Sequence, residues 1–306
     1  TYERMGRLKV VPIGTPDRFC KTNPNYRLQM TTKADIRHLF AKRSKDSNKG
    51  MYGHVLVIGG SFGKSGAPAM SGFAALRSGA GLVTVAVPES ALPNVAAVRP
   101  ELMTVRLEND LSETLAKKTV VALGPGLGTE DAAVRLVKTL YEHENTPFVV
   151  DADALNALAG ALPKTDKIRV LTPHPGEMGR LTGKSVKEVQ ADRLGAAESL
   201  AKESGATIVL KGDGTIIAFP DGDTWINPTG SPAMATGGTG DILTGMVAGL
   251  IGQHPKEWKR AVVAAVWLHG RSGELAAERW GEQAMLATDL LDSLPRAMDE
   301  LRNSLG

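Results

Sequence analysis

Cysteine is nearly missing from this chain: Cys20 is the single one in 306 residues. One cysteine excludes an intrachain disulfide and fits a reducing cytoplasm, so folding must rest on a packed core. Aromatic residues are also scarce, at 5%. That leaves little for base-stacking platforms and argues against nucleic acid as partner. No apolar run reaches the ~18–20 residues needed to span a bilayer, so no membrane partner is expected. Neither sign of charge dominates. The formal net charge of +3 is too small to imply a polyanion or a membrane surface, although a local basic pocket for a phosphorylated ligand remains open. What the chain has in abundance is glycine, 34 residues, with 42% hydrophobic and 23% charged content, the make-up of a globular protein with many tight strand–helix turns.

The first 48 residues are weakly patterned and read as an N-terminal extension. Leu8–Ile13 suits a short strand, Asp17–Met30 is polar and turn-rich, and Thr32–Ala41 suits a helix capped by Thr31 or Thr32. Arg43–Gly50 reads as a flexible surface loop. From residue 49 onward a second region, 49–306, becomes regular. Apolar runs of strand length at His54–Ile58, Leu82–Val87, Thr119–Leu123, Phe148–Val150, Ile168–Leu171 and Thr207–Lys211 alternate with helical segments. A single charged helix is expected over Val186–Ser204. Thr215–Phe219 and Thr224–Ile226, joined at Asp221-Gly222, read as a hairpin. Long helices are expected over Gly240–Gln253 and Lys256–Arg279, with a shorter one near Ala287–Leu301. Continuous apolar strands alternating with helices predict an α/β fold with a mostly parallel central sheet and helices on both faces.

The glycine- and proline-rich pieces all follow strands, where such a sheet binds its ligands. Asn227–Leu243 (NPTGSPAMATGGTGDIL) is the most informative. Glycines 230, 237, 238 and 240 admit bare backbone N–H groups to an anion, and the helix that begins near Gly240 aims its free N–H groups and dipole at the same spot. Asp241 stands beside that cradle, where a carboxylate is badly placed to bind phosphate and well placed to take a proton from a group attacking it. The alternative is a strand–helix turn of small residues with Asp241 as its N-cap.

The other loops carry weaker signals. Gly59–Gly66 (GGSFGKSG) lacks the spacing of a Walker loop and of a dinucleotide fingerprint, and suits a loop that closes over a ligand or a plain turn. Gly124–Gly128 (GPGLG) lets backbone approach a ligand or makes a tight βα turn. Asp151 and Asp153 could hold Mg²⁺ through water, or Asp153 could cap the next helix. His174, held between two prolines in TPHPGE, suits a binding group in a stiff loop. Lys211–Thr215 (KGDGT) could bring an ammonium to a phosphate, or form a hairpin turn. Leu268-His269-Gly270 lies inside a helix and reads as close helix packing.

Taken in order, these segments resemble the NAD(P)H-hydrate dehydratase family, a branch of the ribokinase-like superfamily. The resemblance runs from Lys49 (KGMYGHVLVIGGS) through Ser65 (SGAPAMSGFAALRSGAG), Ala122 (ALGPGLG), Val149 (VVDADALNAL), Leu171 (LTPHPGEMGRLTG) and Val209 (VLKGDGTIIA) to Asn227, Leu268 (LHGRSGELAAE) and Thr288 (TDLLDSLP). It implies a three-layer α/β/α sandwich and restoration of NADH or NADPH from the hydrated (S)-form, NADHX or NADPHX, at the expense of ADP or ATP with Mg²⁺. It implies Asp241 as catalytic base. It assigns Lys211, Gly212, Asp213, Gly214, Thr215, Ser231, Thr236, Gly237, Gly238, Thr239 and Gly240 to the adenine nucleotide, and Ala67, Gly126, His174 and Asp241 to the hydrate. Metal ligands are not implied. The family pattern also implies a homotetramer, and a preference for ADP as in bacterial relatives. Ser231, Ala233, Met178 and Glu274 depart from the usual residues (Asn, Gly, an aromatic and Asp), and none removes a catalytic group. The segment from Gly6 (GRLKVVPIGTPDRF) resembles the tail of the epimerase domain that precedes the dehydratase in bifunctional bacterial members, which fits a chain opening on Thr1. Two other readings stand beside this one: a small-molecule alcohol kinase of the same superfamily, such as one acting on hydroxyethylthiazole, and a nucleotide-binding sensor without turnover.

Overall fold

The structure is a computed structural model that describes residue 14 and residues 27–108 and 110–302. The strand expected over Leu8–Ile13 and, apart from Gly14, the segment resembling an epimerase tail lie outside the described residues. In chain order, β1 (Leu28–Met30) and α1 (Lys33–Ile36) come first. Then follow β2 (His54–Ile58), α2 (Gly66–Arg77), β3 (Leu82–Val87), α3 (Leu92–Ala96), β4 (Met103–Arg106), α4 (Ser112–Leu115) and β5 (Val120–Leu123). The middle holds α5 (Asp131–His143), β6 (Phe148–Val150), α6 (Asp153–Leu158), β7 (Arg169–Leu171), α7 (Pro175–Thr182), α8 (Val186–Ala191) and α9 (Arg193–Ser204). Strands β8 (Thr207–Leu210), β9 (Ile216–Ala218) and β10 (Thr224–Ile226) lead to α10 (Thr239–Gln253), α11 (Trp258–Trp280) and α12 (Ala287–Arg302).

The strands form one 10-stranded sheet in the order β1-β10-β9-β8-β7-β6-β5-β2-β3-β4. Neighbours run parallel except where β9 pairs antiparallel with β8 and with β10. The apolar strands bury both faces. In β2, Val55 and Val57 join the core under α2, α10 and α11, while Leu56 and Ile58 join the core under α5, α6 and α9. Val120 and Ala122 divide from Val121 and Leu123 of β5 in the same way. Alternation along each strand therefore builds a three-layer α/β/α sandwich. No helix among the described residues is long and apolar enough to cross a membrane.

Strand order reverses between β5 and β2, and ligand crevices in doubly wound sheets open at such a point, at the carboxyl ends of the strands. The loops after β2, β5, β6, β7 and β8 open on that edge. Because β9 turns back and β10 returns parallel to β8, the glycine-rich loop after β10 reaches the same edge.

Four differences from the sequence reading have physical causes. Leu28–Met30, placed among turns, pairs in parallel with Thr224–Ile226; an edge strand of three residues carries too short a pattern to read. The helix expected over Val186–Ser204 breaks at Asp192, whose backbone leaves the helical region (φ −142°, ψ 74°) and whose side chain accepts from Gly195 N–H to cap α9. Pro175–Thr182, read as loop, is a helix with Pro175 in its first turn and His174 as N-cap. Arg43, at the start of the expected flexible loop, donates to the Gly79 carbonyl at 2.6 Å and lies 3.6 Å from the Tyr52 ring, so that end of the loop is anchored.

Candidate active site

The glycine-rich loop ends in a helix start built for open N–H groups. Gly238 is the N-cap of α10 at φ +98°, a conformation that disfavours a side chain, and a Cβ there would meet the Met70 Cε at 2.8 Å. Thr239 Oγ1 folds back onto the carbonyls of Met234 (3.0 Å) and Thr236 (3.1 Å), which tightens the loop. Thr239, Gly240 and Asp241 then form the first turn, whose backbone donors have no partner within the helix. The turn is held from both sides. Ser71 Oγ on α2 donates to the Asp241 carbonyl at 2.8 Å, and His269 Nε2 on α11 lies 2.9 Å from the Thr239 carbonyl. A carbonyl can only accept, so His269 carries its proton on Nε2. Burial pushes this imidazole down to about 4, so it is neutral. The packing read for Leu268-His269-Gly270 is present, and Gly270 lies so close to Thr229 that a Cβ would fall 2.3 Å from its Oγ1.

Asp241 sits in that turn with its carboxyl pushed up to about 7. Burial is the main cause; the charge of Asp151 adds to it, Lys211 opposes it, and Asp153 adds further. An aspartate near neutrality is a competent proton acceptor at physiological pH.

Behind Asp241 lies a connected group of charges. Asp151, at the end of β6, is 2% exposed. Its Oδ1 accepts from Lys211 Nζ at 2.8 Å, and its Oδ2 accepts from Thr244 Oγ1 of α10 at 2.8 Å. Lys211 also lies 3.6 Å from Glu177 Oε2. Burial works to lower the lysine's proton affinity, yet Asp151 and Glu177 outweigh it and hold the ammonium above its ordinary range. The Gly124 backbone at φ +118° packs on the Asp151 carbonyl, where a Cβ would come within 2.0 Å. Ala152, between the two aspartates, is a non-glycine residue at φ +51°, and this turn sends Asp151 inward and Asp153 toward Gly128, whose N–H it accepts at 2.8 Å.

The Lys211–Thr215 segment reverses the chain between β8 and β9. Gly212 and Gly214 take positive φ, and Thr215 Oγ1 donates to the Gly212 carbonyl at 2.9 Å. Arg193 on α9 donates to the carbonyls of Leu210 (3.2 Å), Lys211 (3.3 Å) and Asp213. Sequence reading missed Arg193, because nothing local to an arginine at a helix start points to a turn 20 residues away. Ser231 accepts from Ala233 N–H with its hydroxyl, and Thr236 and Gly237 lie at the surface or half-buried before Gly238. Glu274 accepts from Gly230 N–H at 2.9 Å, so the longer acid still reaches the loop.

The residues assigned to the hydrate lie around the same edge. A Cβ at Gly126 would be 3.2 Å from that of Ala67, and Ser61 Oγ donates to the Gly126 carbonyl at 2.9 Å, joining the loops after β2 and β5 across the strand-order reversal. His174 is half-exposed. Its Nδ1 accepts from Gly176 N–H (3.0 Å) and Glu177 N–H (3.4 Å), which leaves Nε2 as the protonated nitrogen, 3.6 Å from Glu177 Oε1. Glu177 closes the reciprocal cap by accepting from His174 N–H at 2.7 Å. Clefts of about 430 Å³ beside Gly230, Ser231 and Arg271 and about 490 Å³ beside Gly60, Phe62 and Leu127 flank the site, and neither is lined by Asp241.

Among the described residues no group of three or more His, Cys, Asp or Glu side chains is arranged to hold a metal ion. Asp151 spends both oxygens on Lys211 and Thr244, and Asp153 is bonded to Gly128 N–H. These aspartates do not fit a Mg²⁺ site made by the protein alone.

Comparison with known proteins agrees with this fold. The family model described as NAD(P)H-hydrate dehydratase matches residues 55–296. A bifunctional NAD(P)H-hydrate repair enzyme of Moorella thermoacetica is 44% identical over 98% of this chain, which spans 59% of that protein. Bifunctional relatives from Coxiella burnetii and Escherichia coli are spanned to 52% and 53%, so the chain covers about half the length of these proteins. The ADP-dependent (S)-NAD(P)H-hydrate dehydratase of Bacillus subtilis is 39% identical over 87% of this chain and 96% of its own length. A crystal structure of the Bacillus subtilis ADP/ATP-dependent dehydratase, co-crystallised with ATP and Mg²⁺, superposes with a TM-score of 0.82 at 37% identity, covering 89% of this chain and 98% of that one. A ribokinase-like superfamily protein of Enterococcus faecalis superposes at 0.80. Hydroxyethylthiazole kinase of Pyrococcus horikoshii shares the fold alone, at 17% identity and a TM-score of 0.59. With its motifs in order and its fold matched, the chain belongs to the NAD(P)H-hydrate dehydratase family.

Proposed function

We propose that this chain restores NADH and NADPH from their (S)-hydrates, NADHX and NADPHX, using ADP or ATP as phosphoryl donor. The observation that carries this reading is Asp241: a half-buried carboxylate near neutral proton affinity, in the first turn of α10, beside open backbone donors. Hydroxide leaves poorly near neutral pH, so the hydrate's C6 hydroxyl must first become a better leaving group. Asp241 takes the hydroxyl proton as the oxygen attacks the donor's terminal phosphorus, and the N–H groups of Thr239 and Gly240 face the charge that builds on the phosphoryl oxygens. The bond from phosphorus to the nucleotide breaks. The C6–O bond then breaks with the help of the N1 lone pair, inorganic phosphate departs, and C5 loses a proton to restore the double bond.

In this reading Lys211–Thr215, Ser231 and Thr236–Gly240 hold the adenine nucleotide, and Ala67, Gly126 and His174 line the hydrate site. His174 offers an N–H donor through Nε2 rather than a base, since Nδ1 is occupied. Mg²⁺ would be held by the nucleotide's phosphates rather than by side chains of this chain, and would offset their charge. Relatives act with ADP or with either nucleotide, and we place ADP first. A cytoplasmic homotetramer is the expected setting. A coupled assay that follows recovery of the reduced-nicotinamide absorbance from NADHX, run with ADP and with ATP, tests the proposal. Recovery with either nucleotide supports it. No recovery on a folded sample overturns it, and a stable phosphorylated product by mass spectrometry would mark a kinase instead.

A further inference from the structure

The charge cluster behind the base is more than the proposed reaction uses. Asp151 accepts from Lys211 on the β8 edge and from Thr244 one turn into α10, each at 2.8 Å. A Cβ at Gly240 would lie 3.5 Å from Lys211 Nζ and 3.6 Å from Asp151 Oδ2, so this pair lies directly against the turn that carries Asp241. The lysine, given by the sequence reading to the nucleotide, is thus already tied to two carboxylates, and its side chain is only 21% exposed. We propose that Asp151 is a positioning residue for the reaction: its two oxygens clamp Lys211 and Thr244, fixing both the seat of Asp241 and the charge balance around it. The inference rests on the reading of Asp241 as base.

The groups facing Asp241 can be followed element by element. The turn after β6 supplies Asp151 and Asp153, the end of β8 supplies Lys211, and α7 supplies Glu177 through Lys211. The loop after β2 supplies Lys64, 3.5 Å from Asp153, and α11 supplies the neutral His269. Asp151 and Lys211 act on Asp241 in opposite senses. Without the clamp, Lys211 would be free to turn toward Asp241 or toward phosphate, and the base would drift toward the ordinary carboxylate range and become a weaker base for the hydroxyl.

The pH dependence of kcat/KM for the hydrate, measured at saturating nucleotide, tests this, since its acid limb reports the base in the nucleotide-loaded enzyme that meets the hydrate. Asp151→Asn keeps the shape and removes the charge, so the acid limb should move to lower pH by about one pH unit, the scale of a neighbouring like charge. Lys211→Met should move it to higher pH. Shifts in opposite directions sustain the proposal, and a purely structural role would lower activity at every pH without moving the limb. Acid limbs that overlay the parent in both variants overturn it. If Asp151→Asn does not fold, Thr244→Val, which removes the second arm of the clamp without changing charge, takes its place: a moved acid limb sustains the proposal and an unmoved limb overturns it. Asp241→Asn is run beside them; if it turns over normally, the reading of the base fails, and the failure is separate from that of the clamp.

Discussion

Asp241 is held where its ionised form is disfavoured, and that has a cost the fold must carry. In the folded chain the carboxyl titrates at about 7 and its ordinary value is 3.8. Between those values the folded chain keeps a proton that the unfolded chain has released. Stability therefore falls as pH rises through this window, and the penalty stands at full size above about pH 7. Its scale is roughly 2 to 4 kcal/mol, since each tenfold change in proton affinity is worth about 1.4 kcal/mol. Asp241→Asn cannot ionise, so it should unfold at higher temperature than the parent at about pH 8, with the gain shrinking below about pH 7 and gone near about pH 4. The same variant should lose turnover by about a hundredfold or more. Thermal melts across that pH range, read beside the activity assay, check both. Equal melts at every pH would mean that the carboxyl is not desolvated. The acid itself was legible in the sequence, because Gly-Gly-Thr-Gly-Asp before an apolar helix is a local signal. Its charge partners were not: Lys211 and Asp151 are 60 residues apart, and only the order of β6, β7 and β8 brings them together.

At the scale of elements, the base is placed by the packing of α10 on α2. A Cβ at Gly245 would fall 2.0 Å from the Ser71 carbonyl, and one at Gly249 would fall 2.9 Å from the Ala75 carbonyl. These glycines let the helices approach closely enough for Ser71 Oγ to reach the Asp241 carbonyl. Gly245→Ala should cost about 1–3 kcal/mol of stability by overpacking, even after the helix-propensity gain of alanine. It should also cut turnover, because the strain falls one turn after Asp241. Gly249→Ala, one turn further on, should cost less stability and leave turnover nearer the parent. Urea unfolding and steady-state rates on the two variants check this ordering. Elements of this kind were readable where burial is complete. His54–Ile58 and Leu82–Val87 appear at their expected bounds because each is an almost wholly apolar run buried on both faces. Met103–Arg106 went unread: it is an edge strand with half-exposed sides and no apolar run. Pro175–Thr182 went unread because two prolines around His174 look like a loop, although the second sits where a helix tolerates it.

For the whole molecule, the question is where the cooperative unit begins. The sequence suggests a boundary at residue 49, yet residues 28–40 are built into the fold. β1 adds a tenth strand beside β10, and Ile36, Leu39 and Phe40 lie in the same apolar core as α10, α11 and α12. A chain of polar contacts extends the link toward the site. Lys33 meets Glu300 at 3.0 Å, Glu300 meets Arg271 at 2.8 Å, Arg271 meets Glu274 at 2.7 Å, and Glu274 accepts from Gly230 N–H in the glycine-rich loop. The first pair is partly exposed and adds little by itself. Ile36, at 0% exposure, carries the energetic weight. Ile36→Ala should lower stability by about 2–4 kcal/mol through lost burial and a residual cavity. If residues 28–40 belong to one unit with the sheet, this loss should appear in the main unfolding transition. It should be seen equally by far-ultraviolet circular dichroism and by the fluorescence of the buried Trp225 and Trp267. An extension that folds apart from the sheet would leave that transition where it is, and the loss would show only as a separate, earlier step. A shift of the whole transition would place the start of the catalytic unit upstream of residue 49, so that truncation at that boundary would remove a sheet edge and part of the core under α11.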